Sequence, residues 1–205
     1  MRPIGVALVF ALGLAAFPGG AVSGGLDEKT LPYLTGLGRL EVAKDYAAAG
    51  PNQAVYTLAI SGAGSWDSLD DPRVGSEERA RNVLQRCEHR AHKRCLLVFE
   101  NGKRSGELTL RPSGLTYAAR FELATVPFIP RDVLAQIGPR YMAAKPHRAM
   151  AISAMGMVGV AAGAGSGDEA GARALEMCQK STGAKHCVVY SVDDTVLFNQ
   201  TTKIY

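Results

Sequence analysis

This sequence has few of the features that assign a function directly. After an uncharged apolar run at residues 4–17, no stretch approaches the roughly 20 apolar residues that a membrane-spanning helix needs. Charge of one sign is scarce too: 23 basic against 19 acidic residues leave a formal net charge of +4, well short of the strongly basic face expected of a nucleic-acid reader. No serine stands in a glycine-flanked nucleophile elbow. The glycine-rich stretch holding Gly156, Gly159, Gly163, Gly165 and Gly167 lacks the Lys-Ser/Thr of a phosphate loop and the acidic residue of a dinucleotide fingerprint. No cofactor is therefore implied.

What is present begins with the N-terminus. Arg2, the apolar run, the break at Pro18, Gly19 and Gly20, and then Ala21, Val22 and Ser23 read as a secretory signal peptide over residues 1–23. Its removal takes one positive charge and leaves 22 basic and 19 acidic residues. No cysteine follows the cleavage region, so no lipid anchor is expected. The expected location is periplasmic or secreted.

The exported part carries an internal repeat. Leu31-Pro32-Tyr33-Leu34 matches Val126-Pro127-Phe128-Ile129, and Tyr46-Ala47-Ala48-Ala49 matches Tyr141-Met142-Ala143-Ala144. Leu58-Ala59-Ile60-Ser61 likewise matches Met150-Ala151-Ile152-Ser153. A first helix is expected over residues 38–49, with Leu40, Val42, Ala43, Tyr46 and Ala47 at helical spacing. Its second copy should be split by Gly138 and Pro139. Small apolar residues predict a buried central strand at 54–61 and again at 147–153. The loops that follow, 62–75 and 156–167, have nothing in common.

Both loops lead into helices with carboxylates in the first turn, Glu77 and Glu78 or Asp168 and Glu169, where the helix dipole favours them. Ala80, Val83, Leu84 and Cys87 then line one helix face. Asn101-Gly102 predicts a tight hairpin turn with a return strand at 106–111; Asp193-Asp194 turns the second copy into 195–198. The fold class is α+β, with two pseudo-equivalent helix-strand-helix-strand-strand repeats at 31–111 and 126–205, joined by a linker at 112–125. The repeats form either two small sheets or one shared sheet. If the strands flanking the crossover helix are parallel neighbours, that unit is right-handed.

Four cysteines in an exported chain read as disulfides. Three pairings are open, and Cys87–Cys95 with Cys178–Cys187 is the economical one, since each copy holds one cysteine at a helix end and one at a strand start. Pairing across copies would need the two helices to meet at their ends.

The remaining candidates are surface features. His89 and His92 lie between Cys87 and Cys95, a set with the residue types of a zinc site but not its spacing. Arg79, Arg81, Arg86, Arg90, Lys93 and Arg94 form a basic run suited to an anionic polymer or an acidic protein, or to a solvated helix face. Trp66, the single tryptophan, would stack on a ligand or plug the sheet edge. The residues singled out for ligand contact are Trp66, Arg86, Arg90, Lys93 and Arg94; no catalytic or metal residue is assigned.

Ala174-Leu175-Glu176-Met177-Cys178, followed by a strand opened by Cys187 and preceded by the alanine-rich strands, resembles an uncharacterised family of secreted bacterial proteins. That family is built from repeated Ala-Leu-x-x-Cys helix and Cys-strand units. The resemblance covers both copies, although copy one has Val83 where copy two has Ala174. It implies the fold and the export and brings no activity with it. The expected function is a non-catalytic module binding a protein or an envelope polymer. The alternatives are an exported hydrolase or metal-dependent enzyme, and an envelope filler without a discrete ligand.

Overall fold

The computed structural model describes residues 26–105, 108, 110–144, 146–182 and 186–204. The signal peptide expected at 1–23 lies outside them, as does part of the return strand expected at 106–111.

The first unit opens with a helix α1 (Gly36–Ala48), capped by the Thr35 hydroxyl, which accepts from the Gly38 N–H at 3.2 Å. Strands β1 (Thr57–Ser61) and β2 (Trp66–Leu69) form a hairpin, α2 (Ser76–Ala91) crosses over, and β3 (Cys95–Glu100) and β4 (Lys103–Arg104) form a second hairpin. The second unit repeats this order with α3 (Arg131–Ala143), β5 (Ala149–Ser153), β6 (Val158–Ala161), α4 (Gly167–Thr182), β7 (Cys187–Val192) and β8 (Thr195–Val196). The result is α+β with two separate antiparallel sheets, ordered β2-β1-β3-β4 and β6-β5-β7-β8.

Each unit thus holds one strand more than the sequence pattern shows, because β2 and β6 run through the dissimilar loops. These extra strands also settle the crossover. The hairpin reverses the chain before α2, so β1 and β3 meet antiparallel rather than parallel. The return strand is β4, directly after the Asn101-Gly102 turn, and residues 108, 110 and 111 are not in a strand. Residues Gly50–Val55 form a 3-10 segment, so the central strand starts later than expected.

The repeat extends to backbone detail. The same bulge interrupts β1 between Leu58 and Ala59 and β5 between Met150 and Ala151. The Ser61 hydroxyl accepts from the Ser65 N–H at 3.1 Å, and that of Ser153 from the Met157 N–H at 3.2 Å, closing both first hairpins. Tyr33 and Phe128 share left-handed backbone conformations, φ 62° and 65°.

Each sheet is covered on both faces, as its alternating strands require. One face of the first sheet packs Ala59 and Leu97 against Ala80, Val83, Leu84 and Cys87 of α2. Its other face packs Leu58, Ile60 and Val98 against Val42 and the Leu31–Leu34 segment. In the second unit, Ala149 and Ala151 face Ala170, Ala174 and Cys178 of α4, while Met150, Ile152 and Tyr190 face Leu134 and Tyr141 of α3. Of the α1 residues expected to form an apolar face, Val42 is buried, Tyr46 is partly buried against the same cluster, and Leu40 is half exposed. Tyr56 also holds α1, its hydroxyl donating to Asp45 Oδ2 at 2.8 Å.

Helix α3 is continuous through Pro139, contrary to the expected break. Proline forfeits one hydrogen bond, but buried Leu134 and Tyr141 anchor the helix on either side. Gly138 is there for Leu123, whose Cδ2 would lie 2.2 Å from any added Cβ. The disulfides pair within units: Cys87–Cys95 and Cys178–Cys187, both with Cα atoms 6.1 Å apart.

Candidate functional site

The two units meet through α2, whose sequence reads as a polar surface helix. Asn82, Gln85, Glu88 and His89 are all buried. Buried polar groups need partners, and these come from the linker and from unit two. Asn82 Nδ2 donates to the Phe128 carbonyl at 2.5 Å, and the Phe128 N–H donates to Gln85 Oε1 at 2.8 Å. Gln85 Nε2 donates to the Ser113 carbonyl at 3.0 Å, and Arg81 Nη2 to that of Ile129 at 2.7 Å. Glu88 takes the Ser113 hydroxyl. His89 Nε2 lies 2.8 Å from the Thr202 carbonyl and Nδ1 lies 2.8 Å from the Tyr117 hydroxyl. A carbonyl only accepts, so the neutral ring carries its proton on Nε2 and takes the Tyr117 proton at Nδ1. Burial, the largest influence, pushes His89 below its ordinary value of 6.5.

This docking leaves a cleft of about 740 Å³ along the seam. Unit one supplies Asn52, Asp70, Asp71, Arg73, Glu78 and Asn82 among its walls; unit two supplies Phe128, Pro130, Met155, Gly156 and Met157. Leu69, Pro72 and Val74 complete the first wall, which thus mixes three carboxylates and an arginine with apolar groups, while the second is apolar. Asp71 is held below the ordinary carboxylate range by its hydrogen bonds from Arg73. Glu78 pairs with Arg81 at 2.5 Å and with Arg131, across the seam, at 3.6 Å. Asp70 forms no ion pair or hydrogen bond among the described residues. Asn82 Oδ1 is buried without a partner.

The residues singled out from sequence gather elsewhere, at the β2 side of α2. Asp67, buried on β2, pairs with Arg86, and with Arg90 at 3.0 Å. Burial pushes its carboxyl up, and the two guanidinium groups pull it back. Arg86 is itself buried, so it fastens α2 to β2 from within. Trp66 stands at the start of β2, partly buried against the α1-side core, and its carbonyl accepts from Arg90 at 3.0 Å. Arg94 is exposed and reaches Glu88 at 3.3 Å; Lys93 is exposed. Arg90 also lines a pocket with His89, His92, Gln200, Thr201, Thr202 and Lys203.

The cysteines flanking His89 and His92 are consumed by the disulfide, and no cluster of three or more metal-ligating side chains occurs among the described residues. In the glycine-rich stretch, Gly159 is packed against α4, where an added Cβ would sit 2.1 Å from the Ala174 carbonyl, while Gly163 faces open space. Sequence reasoning missed Asn82, Gln85, Phe128, Met155 and Met157. One signal was available, the change from Tyr33 to Phe128 at equivalent loop positions, which marks the second loop as enclosed. No family model, curated protein or solved structure matches this chain.

Proposed function

We propose that this chain is an exported, non-catalytic binding protein whose ligand occupies the cleft between its units. The observation that carries this reading is the composition of the walls, with carboxylates from one unit facing Met155, Met157 and Pro130 from the other. Flexible, polarisable methionine adapts to varied apolar partners, and the Asp70 carboxylate, without an ion pair among the described residues, favours positive charge. A polypeptide segment with basic and apolar side chains fits both walls better than an anionic polymer does. Two formed disulfides support an oxidising compartment, and no helix among the described residues is long and apolar enough to cross a membrane.

Methionine methyl spectra test this directly. Met155 and Met157 line the cleft, whereas Met177 lies on the exposed side of α4. An extended peptide of alternating lysine and leucine is expected to move the Met155 and Met157 signals in a saturable way and to leave Met177 in place. Asp70→Asn should weaken that response. If the peptide moves none of them, or a soluble peptidoglycan fragment moves the cleft methyls instead, the peptide reading is overturned.

A further inference from the structure

We propose that the protein associates head to tail with further copies of itself, the Tyr33 loop of one copy seating on the outer face of α4 in the next. The proposal is independent of what occupies the cleft. It rests on the internal docking just described, which joins the loop of unit two to the second helix of unit one. The repeat leaves one unused half of that same pair on each unit.

The free loop has the form of the docked one. Tyr33 and Phe128 share the left-handed backbone, and both carbonyls lie against an equivalent turn glycine: an added Cβ would be 3.3 Å from the Tyr33 carbonyl at Gly64, and 3.5 Å from that of Phe128 at Gly156. The difference is cover. Phe128 is 0% exposed and its N–H and carbonyl are held by α2, while Tyr33 is 55% exposed and its main chain forms no hydrogen bond among the described residues. An aromatic ring with a polar tip suits an intermittently covered interface.

The free helix face carries matching chemistry. With Cys178 aligned on Cys87, Arg173 takes the place of Asn82 and Glu176 that of Gln85. Asn82 donates to the loop carbonyl and Gln85 accepts from the loop N–H; a guanidinium donates and a carboxylate accepts at the same two positions, one turn apart. Their present partners are the exposed neighbours Glu169 and Lys180, and exposed pairs of this kind exchange at little cost. Met177, next to Glu176 and 52% exposed, adds an apolar group to this side of the helix. Because loop and helix face are different surfaces, the contact is heterologous, of the kind that builds rings or open chains of copies.

Sedimentation velocity on the purified protein, taken toward the about millimolar effective concentration a short linker gives this interface within one chain, reads the proposal. Mass is expected to rise past the dimer with concentration. Tyr33→Asn, which keeps a residue tolerant of the left-handed backbone, and Arg173→Ala should each give monomer with an unchanged melting curve. Mixed together, they should give a dimer that grows no further, since each variant retains the surface the other has lost. A monomer over the whole range would overturn the proposal, as would a closed dimer that survives both substitutions.

Discussion

His89 shows how much of this structure depends on single polar residues. Its ring is buried with both nitrogens occupied and its pKa lies below 6.5. Between the two pKa values the unfolded chain binds a proton that the folded chain refuses, so stability is complete above about 6.5 and is lost as pH falls below it. His89→Gln keeps one donor and one acceptor, and its melting temperature should depend less on pH in that window than the native chain's. An equal slope in both would show that His89 is not the group responsible. Gln85 bridges three segments, and Gln85→Ala strips the buried Phe128 N–H and Ser113 carbonyl of their partners. Chemical denaturation should show a loss of about 2 to 4 kcal/mol; a loss under about 0.5 kcal/mol, the range of an ordinary surface substitution, would mean that the seam is solvated.

At the scale of elements, the disulfides and the glycine contacts make the sharpest predictions. Cys178→Ser should destabilise unit two by roughly 2 to 5 kcal/mol and leave Cys187 as the free thiol that alkylation detects. Gly159→Ala forces the α4 main chain away from β6, because the added Cβ would meet the Ala174 carbonyl and the Cys178 N–H. The expected loss is about 2 to 3 kcal/mol, read by denaturation. These elements were also the most readable from sequence. The cysteine helices and strands, the central strands and the hairpin turns each carry local signals. Strand β2 was hidden because Asp67 interrupts the apolar alternation, and its burial depends on Arg86, 19 positions later in the chain. The polar face of α2 looked solvated for the same reason: its partners are Ser113, Phe128 and Thr202, and nothing local announces them. The cleft was invisible since its two walls come from different copies of the repeat.

At the scale of the molecule, a repeat that would ordinarily give two independent lobes has given an asymmetric pair. Unit one buries the outer polar face of its second helix and exposes Tyr33 of its entry loop; unit two exposes Arg173, Glu176 and Met177 on its second helix and buries Phe128. That asymmetry creates the cleft, and it leaves the two surfaces on which the proposed head-to-tail assembly rests. Everything functional in this account requires the units to hold one orientation in solution. Residual dipolar couplings, recorded on backbone amides of both units in a dilute aligning medium at low protein concentration, measure that orientation directly. One alignment tensor fitting both units, with the relative orientation set by Asn82 and Gln85 on Phe128, is the predicted result. Two tensors of different magnitude would mean that the units move independently, and the shared cleft would then not exist as a site.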